Sequence, residues 1–484
     1  MPAKDFYVAI ELGSSKITGI AGQKRMDGSI NVLAIATEPS ATCIRKGVVY
    51  NIDKTNQCIR NIVQRLQNTL QTEIRLVHVG IGGQGIRSVA NTLAVDFDEA
   101  TVVNHATIDN MMDGNRNTRY PNQTKLDVAP QEYKVDSQYQ IDPVGIECNR
   151  IEGNFLNIVW RDAFCRNLYK CFEQNGMPEP RYYLTQMALA DNILSDTEKR
   201  TGCVLVDLGA GTTTVSIYYK NILRHMVTIP LGGNNITKDI TSFHIDEMEA
   251  EKLKLKHAAA YTNSAEVDPE MKISIDPQRT IPHREFVNLV EARVEEIIKN
   301  VLAQIPSDYI DKIGGGIVLT GGGVNLKNME TTFRKYSNIE RVRVAKTINS
   351  SVNTAKGVSI ENDAMLCAAL SLLHKADEIS SGRPLSEVNN LFSALEEEQQ
   401  QQTAETTVTR DAVPKRPGQV LTRQEREAEE EEARKRAEED QKKKEEEDAQ
   451  KRAEEEEIRK QNSFMSKVKK NIISFGKKVF EPED

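Results

Sequence analysis

Three glycine-rich segments, in a fixed order along the chain, constrain its fold more than any other feature. They read AIELGSSKITGI from Ala9, LVDLGAGTTTVSIY from Leu205 and GIVLTGGGVNLKNM from Gly316. In the first two, an apolar run, an acidic residue, a Gly/Ser/Thr turn and a second alternating run follow one another, and this pattern predicts a β-hairpin. Glycine in the turn permits backbone conformations closed to other residues, so that successive N–H groups can point at an anion. The two turns are therefore candidate phosphate-binding sites.

The residues of these turns form a candidate nucleotide site. Serine and threonine hydroxyls add hydrogen-bond donors to the backbone N–H groups, and Lys16 adds a cation. The acidic residues just before the turns, Glu11 and Asp207, would repel phosphate unless a hydrated Mg²⁺ lay between them, so the pattern predicts a magnesium nucleotide. The predicted phosphate-binding residues are Gly13, Ser14, Ser15 and Lys16 in the first turn and Gly209, Ala210, Gly211, Thr212 and Thr213 in the second.

Another glycine motif, GIGGQG at residues 80–85, has the G-x-G-x-x-G spacing of a dinucleotide-binding turn. Such a turn must open a helix, whereas the following residues, IRSVANTLAVDF, alternate as in a strand. The context therefore argues against a dinucleotide site. The P-loop sequence G-x-x-x-x-G-K-[ST] is absent from the chain.

The three segments resemble the first phosphate, second phosphate and adenosine motifs of the actin, Hsp70 and hexokinase superfamily. Within it, the chain resembles the bacterial FtsA family of cell-division proteins, from about residue 6 to residue 375 and again at the extreme C-terminus. Further matching stretches are APQEYKVD from Ala129, PVGIECNRIEG from Pro143 and RHMVTIPLGGNNITKDI from Arg224. The resemblance implies an α/β, actin-like two-lobed ATPase fold with an FtsA-type inserted subdomain, a polar and charged linker and a C-terminal amphipathic helix.

The resemblance also implies which residues bind the adenosine. Consecutive glycines would let the backbone lie flat against it, and an asparagine just after them would contact a phosphate or the ribose. An acid–base pair one helical turn apart would bind ribose and adenine, although on its own such a pair reads as a surface ion pair. These residues are Gly321, Gly322, Gly323, Asn325, the pair Glu251 and Lys254, and Gly232 and Gly233 before the helix of that pair.

Departures from the superfamily pattern bear on hydrolysis. Glu11 stands where relatives usually have Asp, which keeps the charge for Mg²⁺, and Thr214 stands where many have a second Asp. The segment QMALA, which starts at Gln186, lies in the region where chaperones and actins place the Glu or Gln that orients the attacking water, so Gln186 is the candidate catalytic residue. We therefore expect ATP binding with at most slow hydrolysis, and ATP acting mainly as a conformational and polymerisation ligand.

Composition narrows the classes of function and location. The net charge of −8 and the pI near 5.7 argue against a nucleic-acid binder, which would carry a basic surface. The seven cysteines form no C-x-x-C pair, which fits reduced thiols in a cytosol and disfavours a metal–cysteine site. Neither a signal peptide nor an apolar stretch approaching about 18 residues occurs in the sequence. We therefore expect a cytoplasmic protein that does not span a membrane. The resemblance implies, in addition, a peripheral location on the cytoplasmic face of the membrane, at the division site.

The resemblance and the changes of composition along the chain divide it into subdomains, named here as in the family. These are 1–75 and 161–200 (1A), 76–160 (inserted subdomain 1C), 201–240 and 311–352 (2A), 241–310 (2B), 353–377 (a helix returning to 1A), 378–462 (flexible linker and charged helix) and 463–484 (membrane-targeting helix). The sequence also predicts a helix in CIRNIVQRLQNTLQ from Cys58, a helical segment over residues 161–200 and two helices between Thr241 and Ile305.

The charged part of the linker, residues 423–460, alternates blocks of Glu with blocks of Lys and Arg. Acids precede bases by four residues, the favourable orientation on a helix. We expect a single solvent-exposed helix of about 57 Å at about 1.5 Å per residue, with a disordered charge run as the alternative. An apolar a/d seam is absent, which disfavours a coiled coil. The pairs are Glu431–Lys435, Glu439–Lys443, Asp448–Arg452 and Glu456–Lys460.

The last segment, SFMSKVKKNIISFGKKVFEPED, has two faces when it is projected as a helix. An apolar arc of about 100° is opposed by lysines, a pattern typical of a helix that lies in an anionic membrane surface without spanning it. The alternative, docking on the globular core, is disfavoured by the long polar spacer before it. A single such helix holds weakly, so stable anchoring requires several tails in one polymer. The apolar residues are Phe464, Met465, Val468, Ile472, Phe475 and Val479, and the lysines are Lys467, Lys470, Lys477 and Lys478.

The resemblance implies a function as an adaptor of cell division. An FtsA-like protein binds ATP, self-associates into filaments at the cytoplasmic membrane, and tethers the tubulin-like division protein FtsZ, whose C-terminal peptide docks on subdomain 2B; other division proteins are possible partners. Arg293 is the candidate contact for that peptide, with an exposed helix charge as the alternative. Two rival functions remain: a PilM-like assembly protein, which would need no anchor of its own, and a sugar or acetate kinase, which would need a carboxylate base beside a phosphoacceptor pocket.

Overall fold

A computed structural model describes residues 5–385, except residues 175, 264–269 and 277. The strands are β1 (Tyr7–Leu12), β2 (Lys16–Lys24), β3 (Ile30–Pro39), β4 (Ile44–Arg45), β5 (Val48–Val49), β6 (Thr72–Ile74), β7 (Leu76–Ile81), β8 (Arg87–Val102), β9 (Gln123–Val135), β10 (Gln138–Gln140), β11 (Glu147–Arg161), β12 (Glu179–Leu184), β13 (Cys203–Leu208), β14 (Thr213–Tyr219), β15 (Ile222–Ile229), β16 (Lys272–Ser274), β17 (Thr280–Pro282), β18 (Gly316–Thr320), β19 (Val342–Val344), β20 (Val352–Thr354) and β21 (Ser381–Pro384). The helices are α1 (Ile52–Leu70), α2 (His105–Asn117), α3 (Asp162–Lys170), α4 (Thr185–Ile193), α5 (Asp196–Thr201), α6 (Gly233–Ile240), α7 (Glu247–His257), α8 (His283–Leu302), α9 (Ser307–Ile310), α10 (Met329–Ser337) and α11 (Cys367–Lys375).

The first predicted hairpin builds the sheet of the first lobe. Strands β1 and β2 pair antiparallel, and the six-stranded sheet has the order β12-β7-β1-β2-β3-β20. The middle of β2 is buried without alternation because helices cover both faces of the sheet. Ile17 belongs to the same core as Ile62 of α1, and Ile20 to a second core with Leu370 of α11. Helix α1 starts where the Asn51 side chain accepts a hydrogen bond from the Lys54 N–H at 3.0 Å.

The second predicted hairpin, β13 and β14, lies in a nine-stranded sheet. Its order is β10-β9-β11-β8-β15-β14-β13-β18-β19, with β13 antiparallel to β14 and parallel to β18. Strands β13 to β15, β18 and β19 form the sheet of the second lobe, which also carries helices α6 to α8. Helix α8 turns an apolar stripe inward, with Phe286, Val290 and Val294 buried at a spacing of four residues.

The other four strands of that sheet, β8 to β11, form with α2 an insertion within the first lobe in sequence, because β12, which follows them, belongs to the first-lobe sheet. Strands β8, β9 and β11 are long and antiparallel, and Met111, Tyr133 and Phe155 form a core of their own. The insertion continues the second-lobe sheet through one pair, Arg87 of β8 opposite Val227 of β15. Two sheet-centred lobes with this insertion constitute the mixed α/β actin-like fold that the resemblance implies.

Most of the expected elements are confirmed. Both hairpins, the helix that ends at Leu70, the strand after GIGGQG and the two helices of residues 241–305 are present. The expectation of a helical segment over residues 161–200 is wrong in part, because β12 lies within it and pairs parallel with β7. Six residues at a sheet edge are too few to show a period in the sequence.

The charged linker segment and the predicted membrane-targeting helix lie outside the described residues. Within the part of the chain that the structure describes, no helix combines the length and the apolar character needed to cross a membrane.

Candidate functional site

A cavity of about 330 Å³ lies where the two hairpin turns, the start of α4, helix α7 and the turn after β18 meet. Such a concave site with a few convergent polar groups is the ordinary form of a small-molecule site. The predicted residues that line it are Glu11, Gly13, Ser14, Ser15, Lys16, Gln186, Asp207, Gly209, Ala210, Thr212, Gly233, Glu251, Lys254, Gly321, Gly322, Gly323 and Asn325.

The first turn is held by the loop before β4 and by the turn between β4 and β5. The Ser40 hydroxyl donates to the Gly13 carbonyl oxygen at 2.6 Å, and the Gly47 N–H donates to the Ser14 hydroxyl oxygen at 2.8 Å. A Cβ atom at Gly13 would lie 2.5 Å from the Lys16 carbonyl oxygen, so the turn accepts only glycine there. These contacts fix the position of the turn, whose residues line the cavity.

The second turn is held by the start of α6. The N–H groups of Gly233 and Asn234 donate to the carbonyl oxygens of Gly209 and Ala210, at 3.0 and 2.7 Å. The turn also approaches the first one, because a Cβ atom at Gly211 would lie 2.7 Å from the Ser14 hydroxyl oxygen. The two lobes are therefore in close contact at the predicted phosphate end of the cleft.

Three predicted nucleotide-binding residues do not line the cavity. The Thr213 side chain is buried, and its hydroxyl donates to the Leu231 carbonyl oxygen at 2.8 Å, so it braces the turn instead of facing the cleft. Because side chains alternate along a strand, the next residue, Thr214, is the one that lines the cavity. Gly211 and Gly232 are packed against neighbouring turns, at Ser14 and at the Gly209 carbonyl oxygen.

Two carboxylates lie at the floor of the cleft, on strands from different lobes. Burial, reinforced by the negative charge of Asp207 and opposed by Lys16, raises the pKa of Glu11 to about 7. Burial also raises the pKa of Asp207, against a hydrogen bond of 2.6 Å that its carboxylate accepts from the Gln186 Nε2. The other amide atom, Gln186 Oε1, is buried and has no hydrogen-bond partner among the described residues.

These groups fit a hydrated magnesium ion. Burial disfavours the charged form of both carboxylates, and a divalent cation would offset this cost. The buried amide oxygen lacks a hydrogen-bond donor, and a water molecule bound to the cation would supply one. The residues that would hold Mg²⁺ through water are Glu11 and Asp207, with Gln186 beside them.

The predicted adenosine side begins at Gly321, which has φ of +86°. A Cβ atom there would lie 2.6 Å from the Leu208 carbonyl oxygen, so the position requires glycine for both conformation and space. A 3-10 turn, Gly322–Asn325, follows, and the Asn325 amide donates to the Asp363 carbonyl oxygen. The Asn325 side chain is thus partly committed to the protein itself.

The predicted acid–base pair lines the cleft, with Lys254 buried and the Glu251 side chain 40% exposed. The Lys254 Nζ is 2.7 Å from the Glu251 carboxylate and donates to the Thr237 hydroxyl at 2.8 Å. Lys254 is only 8% exposed. Its charge is therefore held at the wall of the cavity, where it can act on a bound ligand.

Sequence reasoning missed several residues of the lining. Gly80, Gly82 and Gly83 carry a local signal, because they belong to the GIGGQG motif, but its spacing is that of a dinucleotide turn. Thr185, Asn234 and Leu255 directly adjoin predicted residues. Gly47 and Met365 carry no local signal, because they come from segments distant from the three glycine-rich motifs.

The candidate peptide contact, Arg293 on α8, is neither fully exposed nor unpaired. Its guanidinium donates to both carboxylate oxygens of Asp239 on α6, and it also pairs with Glu296. The side chain is 24% exposed. The alternative of a simple exposed helix charge does not describe Arg293, because two carboxylates of the same lobe hold its guanidinium.

Comparisons with known proteins give the family of the chain and the likeness of its fold. A family model described as "Cell division protein FtsA" matches residues 204–369, and one described as "SHS2 domain inserted in FTSA" matches residues 83–159. The cell division protein FtsA of Porphyromonas gingivalis is 30% identical over 397 residues, which are 81% of this chain and 82% of that protein. FtsA of Pseudomonas aeruginosa is 32% identical over 322 residues, 65% of this chain and 77% of that protein. Among solved structures, the PilM-PilN type IV pilus biogenesis complex matches with a TM-score of 0.53 at 14% identity, over 76% of this chain and 98% of that one, which is a likeness of fold alone.

Proposed function

The chain belongs to the FtsA family of cell division proteins, and from that premise we propose that it is an ATP-binding adaptor between FtsZ and the membrane. It binds Mg-ATP in the cleft between its lobes, self-associates, and attaches to the cytoplasmic face of the membrane through residues 463–484. Subdomain 2B, residues 241–310, receives the C-terminal peptide of FtsZ.

The nucleotide part of this proposal depends on one observation, that three glycine-rich turns converge on one cavity. The turns after β1, β13 and β18 meet there, although they are far apart in the chain. Glycine-rich turns present N–H groups to an anion, and the lining carries the cationic side chains Lys16 and Lys254. A nucleotide, with an anionic tail and a flat base, matches this distribution of groups.

Each part of the cleft has a distinct task in the proposal. The first turn and Lys16 bind the outer phosphates from one lobe, and the second turn binds them from the other. When bound, Mg²⁺ supplies positive charge against the phosphates. The glycines from Gly321 onward give the base a flat surface, and Glu251 with Lys254 binds the ribose.

Hydrolysis is proposed to be slow at most. The Gln186 Nε2 is committed to Asp207, and only its Oε1 remains to accept a hydrogen bond from an attacking water. An amide oxygen orients water but does not remove its proton, so the geometry supports positioning without a strong general base. ATP then acts mainly as the ligand that closes the two lobes on each other.

The nucleotide proposal is tested by calorimetric titration of the full chain with Mg-ATP. Asp207→Asn removes one floor carboxylate, and we expect the affinity for Mg-ATP to fall about 10- to 100-fold, as for other groups that act on a metal through its outer shell. The matched control is Asp191→Asn, which removes a surface carboxylate paired with Lys199 and Lys375. Equal affinity in the two variants would contradict the assigned role of Asp207.

The membrane proposal is tested by co-sedimentation with anionic vesicles, with and without Mg-ATP. The full chain should pellet, and a chain truncated after Gln461 should not. Two substitutions at adjacent positions distinguish the loss of the apolar face from the addition of charge. Ile472→Lys places a charge within the apolar arc and should weaken pelleting, whereas Asn471→Lys adds the same charge outside the arc and should not. If full and truncated chains behave alike, a platform recruited by a membrane-protein peptide becomes the better account.

The FtsZ proposal is tested on α8 with a peptide of the FtsZ C-terminal sequence. Arg293→Ala should weaken peptide binding if Arg293 contacts it, whereas Arg284→Ala, an exposed arginine on the same helix, should not. Because Arg293 also holds Asp239, thermal unfolding of both variants must be compared. A loss of binding that only follows a loss of stability would remove Arg293 from the proposed contact.

A further inference from the structure

The GIGGQG turn, residues 80–85, connects β7 of the first lobe with β8 of the insertion. Gly82 and Gly83 of this turn line the nucleotide cleft. The turn thus touches the proposed ligand site at one side and leads into the insertion at the other.

The turn is in backbone-to-backbone contact with the loop behind the first phosphate turn. A Cβ atom at Gly47 would lie 2.5 Å from the Gly83 Cα, and a Cβ atom at Gly83 would lie 2.8 Å from the Gly47 carbonyl carbon. The φ angles are +69° at Gly47 and +131° at Gly83. Only glycine fits at either position, so the two backbones can remain in direct contact.

Three hydrogen bonds connect this backbone contact to the first phosphate turn on one side and to the insertion on the other. The Gly47 N–H donates to the Ser14 hydroxyl oxygen at 2.8 Å, in the first phosphate turn. The Gln84 N–H donates to the Lys46 carbonyl oxygen at 2.9 Å. The Trp160 Nε1–H then donates to the Gln84 carbonyl oxygen at 3.0 Å. A continuous set of contacts therefore runs from a phosphate-binding hydroxyl to the last strand of the insertion.

Trp160 is the only tryptophan of the chain. It is 2% exposed, and its ring centroid lies 5.8 Å from that of Phe164. A buried indole N–H requires an acceptor, and the Gln84 carbonyl is the one this tryptophan has. A displacement of the 80–85 turn must therefore change the surroundings of the one indole that fluoresces.

The turn between β4 and β5, which contains Lys46 and Gly47, also contacts the second lobe together with Ser14. A Cβ atom at Gly211 would lie 2.7 Å from the Ser14 hydroxyl oxygen and 3.1 Å from the Lys46 Cα. Ser14 and Lys46 thus lie against the second phosphate turn. A phosphate that enters between the two turns must change the contact of Gly211 with Ser14 and Lys46, because packed groups shift between discrete arrangements.

We propose that the 80–85 turn transmits nucleotide occupancy from Ser14 to the insertion, with Trp160 as the positioning residue at the insertion end. The inference rests on the proposed binding of Mg-ATP in the cleft. When the Ser14 hydroxyl binds phosphate, Gly47 moves with it, Gly83 follows through backbone contact, and Gln84 carries the shift to Trp160. Since coupling is reciprocal, a partner that fixes the insertion changes the affinity for Mg-ATP by the same factor.

The first test titrates the full chain with Mg-ATP and follows Trp160 emission, with calorimetry in parallel. We expect a saturable change in emission whose midpoint equals the calorimetric Kd. Calorimetric binding without a change in emission would overturn the coupling and leave the nucleotide proposal intact. Absence of binding heat would overturn both.

Two glycine variants of the same turn then test the contact itself. Gly83→Ala places a Cβ atom against Gly47, whereas Gly85→Ala, at a φ of +82°, meets nothing within 4 Å. Both substitutions impose a left-handed backbone on alanine, so they match in that respect. We expect the emission change at saturating Mg-ATP to be lost in Gly83→Ala and kept in Gly85→Ala. The same outcome in both variants would overturn the assignment.

A second measurement covers the case in which Gly83→Ala does not fold. Hydrogen exchange in peptides of β9 and β11 should slow on Mg-ATP binding in the unaltered chain but not in Trp160→Phe. The affinity of Trp160→Phe for Mg-ATP should stay within about fivefold of that of the unaltered chain, since the substitution removes one hydrogen bond outside the cleft. Tyr133→Phe, which removes one polar atom from another buried ring of the insertion, should keep the response. Protection retained in Trp160→Phe would overturn the proposal.

Discussion

Glu132→Gln is expected to loosen the insertion from the second lobe, because Glu132 holds the ion pair that joins them. The Arg224 guanidinium of β15 donates to both carboxylate oxygens of Glu132 on β9, with the Nη2 bond at 2.7 Å. Arg224 is 7% exposed and Glu132 is 17% exposed. Glutamine keeps the shape of the side chain and removes its charge, which leaves the buried guanidinium without a counter-ion.

The expected magnitude follows from the pKa of Glu132. Hydrogen bonds from Arg224 lower this pKa from 4.5 to about 2. At about 1.4 kcal/mol per pH unit, the difference corresponds to about 3 kcal/mol of stability at pH 7. Since the folded protein favours the ionised form, this stability is present above pH 4.5 and is lost as the pH falls through about 2. The difference in the free energy of unfolding between the unaltered chain and Glu132→Gln should therefore fall to about 2 kcal/mol at pH 3.5.

The assay is urea unfolding of the full chain, followed by Trp160 emission, which reports on the insertion. The control is Asp113→Asn, which breaks an exposed pair with Arg116 on α2 and should change the free energy of unfolding by less than about 0.5 kcal/mol. If Glu132→Gln costs no more than the control at pH 7, or if its effect does not shrink at low pH, the pair does not hold the insertion as described.

Two further predictions concern the cleft. Gln186→Ala should slow single-turnover ATP hydrolysis by about tenfold or more, with little change in the calorimetric affinity for Mg-ATP, because its role is to orient water; an unchanged rate would remove it from that role. Gly321→Ala should lower both the thermal stability and the affinity for Mg-ATP, at a cost of about 1–3 kcal/mol for strain and close contact. Gly357→Ala, at a φ of +89° with nothing within 4 Å of its Cβ position, should lower stability less and leave binding unchanged.

The hairpins and their acidic residues could be predicted from the sequence because their signals are local. An apolar run, a carboxylate and a glycine turn occupy consecutive positions, and Glu11 and Asp207 appear on the cleft floor as that order requires. The sequence does not determine which threonine hydroxyl faces the cleft. Whether Thr213 or Thr214 faces the cleft depends on the exact residue at which β14 begins, and a shift of one residue reverses the face.

The remaining parts of the site depend on contacts between distant residues, which no local pattern reveals. Gly47 reaches the cleft because its N–H bonds Ser14, and Trp160 contacts the 80–85 turn across more than 70 residues of sequence. The bidentate pair of Arg293 with Asp239 likewise joins α8 to α6. Such pairings are fixed by tertiary packing, which overrides the local reading of a glycine motif or a helix charge.

The insertion is attached to both lobes, and the two attachments differ in kind. On the second-lobe side, the Thr228 N–H donates to the Ile86 carbonyl oxygen at 2.9 Å beside the β8–β15 pairing, and the buried Arg224–Glu132 pair adds a bond that water does not weaken. On the first-lobe side, the glycine turn leads into the insertion, and β11 leads out of it directly into α3, where the Thr124 hydroxyl donates to the Asp162 carboxylate at 2.6 Å. When the cleft opens, we expect part of the displacement to fall on the glycine turn, because the insertion is held by both lobes. Glu132→Gln and Gly83→Ala should then reduce the Trp160 response to Mg-ATP non-additively, because both act on one coupled connection.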